Sequence, residues 1–309
     1  MRVAVLVPTY RRPEDLERCL VALAAQRRPA DRVLVVHRPD DDASVGVVRD
    51  FAGRLPLQAV FVERGGQVAA LNAGLDRVVE EVVAITDDDA APHPDWLERI
   101  EAEFARSPDV GAVGGRDFVA HELRPDLPKV GVLTWFGKTI GNHHRGTGPM
   151  RDVDFLKGAN MTYRTSALRG RRFDERLRGT GAQVHNDLGF SLGTRGAGWR
   201  VVYDPAIAVD HFPAERFDED GRSERSLAAI ENSGYNEALI VSEYLSPVRR
   251  AAYRLWAFFI GTRQSPGVAQ CLRFALLRKP VWHQFRAVQR GRFAAERERR
   301  RLSRVPQTL

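Results

Sequence analysis

The strongest constraint on this chain is a rhythm that runs through about residue 105, where short β-branched apolar runs alternate with stretches of helical spacing. RVAVLVPTY (2–10) ends almost at once on a proline and suits a buried strand rather than a helix. Pro13 then opens PEDLERCLVALAAQ, where Leu16, Cys19, Leu20 and Leu23 recur at helical spacing and acidic residues fill the first turn, as the helix dipole favours. RVLVVH (32–37), LQAVFVE (57–63) and VVAIT (82–86) read as further strands. SVGVVRDFA (44–52), QVAALNAGLDRVV (67–79) and PDWLERIEAEFA (94–105) read as helices. Such alternation predicts an α/β fold of stacked β-α units on a mostly parallel sheet flanked by helices. Ligands of such sheets bind outside the carboxyl ends of the strands, and PTYRR, RPDDD, ERGGQ and TDDDA all lie at such ends.

Beyond this point the pattern loosens. Residues 106–150 are glycine-rich and are expected to be irregular, GANMTYRTSAL (158–168) reads as a loop or strand entering a helix, and NDLGFSLGTRGAG (186–198) as a helix with a glycine stop. WRVVYDPAIAVDHF (199–212) reads as a closing strand pair, and from about Ala214 the chain is helical in character. The expected division is a catalytic domain over 1–215 and a basic helical region over 216–309, with the RERRRLSR stretch near the end frayed or disordered.

A chain of 309 residues can bury a real core. Its two cysteines, Cys19 and Cys271, are too few for a disulfide framework, so a reducing compartment is expected. Pro8 interrupts the N-terminal apolar stretch, so no signal peptide is expected, and no uncharged run of membrane-spanning length occurs. A cytoplasmic protein, with a place at the cytoplasmic face of a membrane left open, is the expectation. Charge is unevenly divided: Ser246 to Leu309 carry 15 Arg and Lys against two Glu, whereas the 245 residues before them carry 32 against 38.

Asp87, Asp88 and Asp89 follow the fourth strand directly. Crowded carboxylates repel one another unless a cation neutralises them, and hard divalent ions such as Mg²⁺ and Mn²⁺ take oxygen ligands. A solvated loop is the plainer reading of the triplet, but its place at a strand end favours a cation site. Gly131 to Gly137-Lys138-Thr139 resembles a phosphate-binding P-loop, yet five residues separate the glycines where four are needed, and it is rejected. No dinucleotide GxGxxG follows a strand. His211 is either structural or a metal ligand, and Asp187 either caps a helix or serves as a general base.

Taken in order, these stretches resemble the inverting glycosyltransferases of family 2, which have the nucleotide-sugar-binding fold called GT-A. The resemblance runs over roughly residues 2 to 215 and rests on VLVPTYRRPEDLERCLVALAAQ, RGGQVAALNAGL, AITDDDAAPHPDWL, KGANMTYRTSAL and NDLGFSLGTRGAGWRVVYDPAIAVDHF. It implies a GT-A catalytic domain followed by a C-terminal helical extension. It also implies a nucleotide-diphosphate sugar as donor and Mn²⁺ or Mg²⁺ as cofactor. The acceptor would be a glycan, lipid-linked or small-molecule hydroxyl. Asp87 and Asp89 match the family's Asp-x-Asp pair, with Asp89 on the metal, Asp87 facing the ribose or metal-bound water, and Asp88 the spacer at the nucleotide. His211 matches the late metal ligand, and Asp187 the catalytic base. Pro8, Thr9 and Tyr10 match the loop against the nucleotide base, with Arg64 and Asn72 among the donor contacts. Two departures stand out: Asn186 replaces the first acid of a pair, and His37-Arg38-Pro39 precedes Asp40 where the family has an Asp directly after the strand, leaving Asp40, Asp41 or neither in that role.

The basic tail mixes Arg with Tyr253, Trp256, Phe258, Phe259, Phe274, Trp282 and Phe285. It suits either helices with buried aromatic faces and solvated Arg, or a peripheral contact with an anionic membrane. Nucleic-acid binding lacks any accompanying recognition fold. A nucleotidyltransferase would show a Gly-rich, Lys- or Arg-bearing loop after the first strand, where this chain has PTYRRPE. A sugar-nucleotide-binding protein without turnover remains the other alternative, and oligomeric state is not legible.

Overall fold

The structure is a computed structural model that describes residues 1–119, 126–214, 226–279 and 281–302, with Leu302 described by its backbone alone. The first half runs β1 (Val3–Pro8), α1 (Pro13–Ala24), β2 (Arg32–His37), α2 (Asp42–Phe51), β3 (Leu57–Phe61), α3 (Gln67–Leu75), β4 (Val82–Ile85), β5 (Ala90–Pro92), α4 (Trp96–Arg106) and β6 (Val110–Val119). There follow β7 (Val132–Leu133), β8 (Thr139–Ile140), β9 (Arg151–Asp152), β10 (Met161–Arg164), α5 (Thr165–Leu168), α6 (Asn186–Gly196) and β11 (Arg200–His211). Helices α7 (Leu227–Tyr244), α8 (Pro247–Phe259), α9 (Val268–Leu276) and α10 (Trp282–Leu302) complete the described chain.

Two compact units emerge. The first comprises Met1–Val132, Ile140–Phe173 and Phe190–Ala214, and the second comprises Leu133–Thr139, Asp174–Gly189 and Glu215–Leu309. The first is built on a sheet of order β3-β2-β1-β4-β10-β6-β11-β5, with β9 paired to β11. Strands β3, β2, β1 and β4 are parallel, with Leu6 opposite Leu34 on one side and Ile85 on the other. β10 enters antiparallel between β4 and β6, and β11 again runs parallel to β6. This is a two-sided sheet, and Val3, Val5, Val33, Val35 and Val82 are fully buried in it. The apolar stripe of α1 (Leu16, Cys19, Leu20, Leu23) packs into the same core as Trp96, Leu97, Ile100 and Phe104 of α4. Each large side chain so buried stabilises the fold by roughly 1.5–3 kcal/mol.

The β-α alternation is present at the expected places, but three expectations are corrected. Residues 110–119, expected to be irregular, form the long strand β6. Its glycines admit neighbouring backbone: a Cβ on Gly115 would collide with the carbonyl oxygens of Asp204 and Ile207. Residues 200–211 form one strand, not a pair, bent by a register shift between Asp204 and Ala208. The RERRRLSR stretch is helical through Leu302, within α10, while 303–309 lie outside the described residues. The rejected P-loop match is the turn of the β7–β8 hairpin, followed by strand and not helix.

Asn160 ties the first unit together. It accepts from the Trp96 indole at 2.9 Å and donates to the Ile207 carbonyl at 2.8 Å. In the second unit α7 and α10 pack closely, because Gly234 and Gly291 leave room for the opposing backbone. Cys19 and Cys271 are both buried free thiols. Among the described residues no helix is long and apolar enough to cross a membrane.

Candidate metal centre

The centre forms past the end of β4, where the chain continues into β5 and so reaches β11. β5 runs antiparallel to β11 with Ala90 opposite His211, so the residue before Ala90 is carried to the histidine ring. Asp89 Oδ1 lies 3.3 Å from His211 Nε2. The Asp89 carbonyl accepts from the Phe212 amide at 2.8 Å, and its Oδ2 from the Ala214 amide at 2.9 Å, which fixes the carboxylate. Asp87, Asp89 and His211 each present a ligand atom, and these atoms lie within 4.8 Å of one another.

The other side of the ring faces β6. His211 Nδ1 is 3.4 Å from Asp117 Oδ2, and Asp117, fully buried, pairs with the Lys157 ammonium. Burial alone would raise the Asp117 carboxyl, but the His211 hydrogen bond and Lys157 outweigh it and hold it at about 2. Burial would likewise lower the imidazole, yet Asp117 and then Asp89 push it up to about 9. Burial and then the neighbouring Asp89 raise Asp87. His211 Nε2 is buried and makes no well-formed hydrogen bond, while Nδ1 is oriented by a carboxylate. That is the arrangement by which a carboxylate sets the tautomer of a metal-ligating histidine. Two carboxylate oxygens and one imidazole nitrogen suit Mn²⁺ or Mg²⁺, so the residues present fit a hard divalent cation.

Asp88 faces the opposite way. It accepts from Thr9 Oγ1 at 2.8 Å and from the Arg12 guanidinium at 2.9 Å. Burial pushes its carboxyl up to about 7, and Arg12 opposes that. Asp88 thus anchors the loop after β1 to the end of β4. Gln67, the first residue of α3, donates to Asp87 Oδ1 at 3.2 Å.

The loop after β1 continues from Pro8 through Thr9, whose amide donates to the Val36 carbonyl at 2.9 Å. Arg11 takes a left-handed φ of 55°, and its amide donates to Asp41 Oδ2 at 2.6 Å. The Tyr10 hydroxyl donates to Asp40 Oδ2 at 3.3 Å, and the guanidiniums of Arg11 and Arg38 lie 5.0 and 4.7 Å from its ring centroid. Asp40 is exposed here, whereas buried Asp41 caps α2 through the Ser44 amide at 3.2 Å. Of the two, Asp40 is the one presented outward at the end of the second strand. Arg64 sits exposed in the loop before α3. Asn72 is differently placed: its amide clasps the Phe173 backbone, donating at 3.0 Å and accepting at 2.8 Å.

Asp187 opens α6 in the second unit, half-buried, with its Oδ1 accepting from the Leu188 amide at 2.8 Å. Asn186 donates to the carbonyls of Ala182 and Gln183, closing the turn before the helix. A carboxylate there could not donate, so the Asn186 amide serves the turn. Gln183 and His185 in this turn have φ of 41° and 75°. Such backbone persists only where its surroundings hold it. Asn236 of α7 does so, accepting from the Arg178 amide at 2.8 Å and donating to the carbonyls of Arg178 and Val184.

Asp117, Lys157, Arg12 and Gln67 are the residues that sequence reasoning passed over. Asp117 had a signal, an acid inside an apolar glycine-rich run, hidden by the reading of that run as irregular.

Comparisons with known proteins bear on the family and the fold. The family described as glycosyltransferase like family 2 matches residues 1–226. Glycosyltransferase AglE of Haloferax volcanii is 32% identical over 101 residues, covering 31% of this chain and 33% of that protein, so the match spans about a third of its length. The glucosyl-dolichyl phosphate glucuronosyltransferase of the same organism is 27% identical over 231 residues, covering 68% and 69%. Among solved structures, mannosyltransferase PcManGT of Pyrobaculum calidifontis, in complex with GDP-Man and Mn²⁺, aligns with a TM-score of 0.56 at 21% identity over 98% of this chain and 88% of that one. The fold is that of the GT-A glycosyltransferases.

Proposed function

The chain belongs to the glycosyltransferase-like family 2, and from that premise we propose that it transfers a sugar, with inversion, from a nucleotide-diphosphate sugar to an acceptor hydroxyl. The observation that carries this reading is the convergence of Asp87, Asp89 and His211, with Asp117 behind the histidine. Asp89, His211 and Asp87 would hold a divalent cation, with Asp87 also toward the donor's ribose. When bound, the cation supplies positive charge at the departing diphosphate. The loop of Pro8, Thr9 and Tyr10, with Asp40 beyond it, borders the nucleotide. Arg64 adds positive charge toward it. Asp88 supports this loop from behind through Thr9 and Arg12.

Asp187 is the proposed general base. As the acceptor oxygen bonds to the anomeric carbon, its proton passes to the Asp187 carboxylate and the bond to the diphosphate breaks. Attack from the face opposite the leaving group inverts the anomeric centre. The matched glucuronosyltransferase has a lipid-linked sugar in its name, which supports a lipid-linked glycan as acceptor class.

The test is a screen of UDP-, GDP- and dTDP-sugars for binding and slow hydrolysis with and without Mn²⁺. Asp89→Ala is expected to abolish the metal-dependent part. Asp187→Asn is expected to keep donor binding and lose about 10²–10⁴-fold in transfer, the usual worth of a general base. Donor binding indifferent to both metal and Asp89 would sink the assignment of the centre. Binding without transfer to any acceptor would return the chain to a binding role.

A further inference from the structure

We propose that the surface formed by the end of α8, by α9 and by the start of α10 docks onto an anionic lipid bilayer. The tail aromatics divide into two groups. Tyr253 is buried and Trp256, Phe274 and Phe285 are half-buried, whereas Phe258, Phe259 and Trp282 are exposed. The exposed rings are not scattered. Phe258 lies 5.1 Å from Phe259 and 5.8 Å from Phe285, which is 6.0 Å from Trp282, so one aromatic run joins α8 to α10. The turn after α8 is tight, closed by a Gly261–Pro266 bridge, and α9 follows it directly. On α9, Leu272 and Leu276 stand one helical turn apart, and Leu276 is 86% exposed, followed by exposed Leu277. Exposed apolar side chains gathered on three successive elements in this way mark an interaction surface rather than ordinary scatter.

Its charge identifies the occupant. No Asp or Glu occurs between Glu243 and Glu296. Arg263, Arg273, Arg278, Lys279 and Arg286 are exposed and have no carboxylate partner among the described residues. A merely solvated face would mix both signs. A second copy would set these cations against one another, and a nucleic acid would leave the leucines without apolar cover. An anionic bilayer satisfies both halves, with headgroup phosphates on the cations and the acyl boundary around Leu276, Phe259 and Trp282. Because no described helix can cross a membrane, the helices would lie along the surface. The family match ends at residue 226, so this face lies outside it.

The experiment uses the full chain and vesicles of mixed phosphatidylglycerol and phosphatidylcholine, against phosphatidylcholine alone. Co-sedimentation with the anionic vesicles, weakening as salt rises, is expected. Arg273→Gln, Arg278→Gln and Lys279→Gln should each lower partition on the order of fivefold. Leu276→Ser with Leu277→Ser should lower it too, with the melting temperature unchanged because both leucines are exposed. No co-sedimentation, equal partition to the neutral vesicles, or a dimer that the leucine variant dissolves without any vesicle binding would each overturn the proposal. Partition is read without turnover, so its failure is distinct from a failure of the donor reading.

Discussion

Asp87 and Asp88 are neighbours in the chain under opposite demands. Asp88 is held by Thr9 and Arg12, whereas Asp87 shares its space with Asp89 and His211. Removing the Asp88 carboxylate strands a mostly buried guanidinium, and breaking a buried pair costs about 3 kcal/mol or more. Removing Asp87 relieves repulsion between crowded carboxylates. In metal-free buffer Asp88→Ala should therefore melt well below the parent, while Asp87→Ala melts at or above it and loses the thermal shift caused by Mn²⁺. If the two variants melt alike, the division of roles is wrong. The sequence marks the triplet but not which member faces inward, because that depends on what Thr9 and Arg12 reach.

At the level of elements, glycine positions and interhelical ion pairs decide stability. Gly115 sits on β6 beneath the bend of β11, where the carbonyls of Asp204 and Ile207 crowd any added carbon. Gly115→Ala should cost about 3 kcal/mol, the upper end of ordinary overpacking, because backbone rather than a side chain must yield. Gly46, inside α2, has nothing within 4 Å of the same carbon. Gly46→Ala should instead be neutral or stabilising by up to about 1 kcal/mol. Melting curves of the two variants check the pair, and a Gly115→Ala protein as stable as the parent would contradict the packing described.

Glu296 on α10 is gripped by Arg254 of α8 and by Arg299 and Arg300. Burial would raise its carboxyl, but the hydrogen bonds from Arg299 and Arg300, with Arg254, outweigh it and hold it at about 2. A carboxyl whose folded value lies below its unfolded one adds stability above the unfolded value, and that contribution fades as pH falls toward the folded one. The melting-temperature deficit of Glu296→Gln relative to the parent should accordingly be full at neutral pH. It should shrink between the ordinary glutamate value of 4.5 and about 2. A deficit independent of pH would show that the arginines act through packing alone.

Across the whole molecule, the parallel half of the sheet was legible because each of its elements is written in a local period: two for a buried strand, three to four for a helix, and a proline or aspartate at the change. The loops at the strand ends, and with them Pro8, Thr9, Tyr10, Asp40 and the aspartate triplet, followed from that periodicity. The later strands were harder. β6 is glycine-rich because β10 and β11 approach it closely, so the composition that signals a loop in isolation signals a crowded strand in the sheet. Asn72 fell in a matched motif, yet its amide faces Phe173, 101 residues away.

The sequence by itself determined that this chain is an α/β protein with polar loops at the carboxyl ends of its strands, three carboxylates at one of them, and a cationic, aromatic tail. Only the tertiary structure decided that Asp87 and Asp89 share a space with His211, that Asp117 orients the histidine from 94 residues away with Lys157 behind it, and which tail aromatics stay exposed. The physical reason is that hydrophobic periodicity and turn chemistry act over a few residues and can be read along the chain. The contacts of a buried carboxylate depend instead on strand register and on the packing of elements distant in sequence.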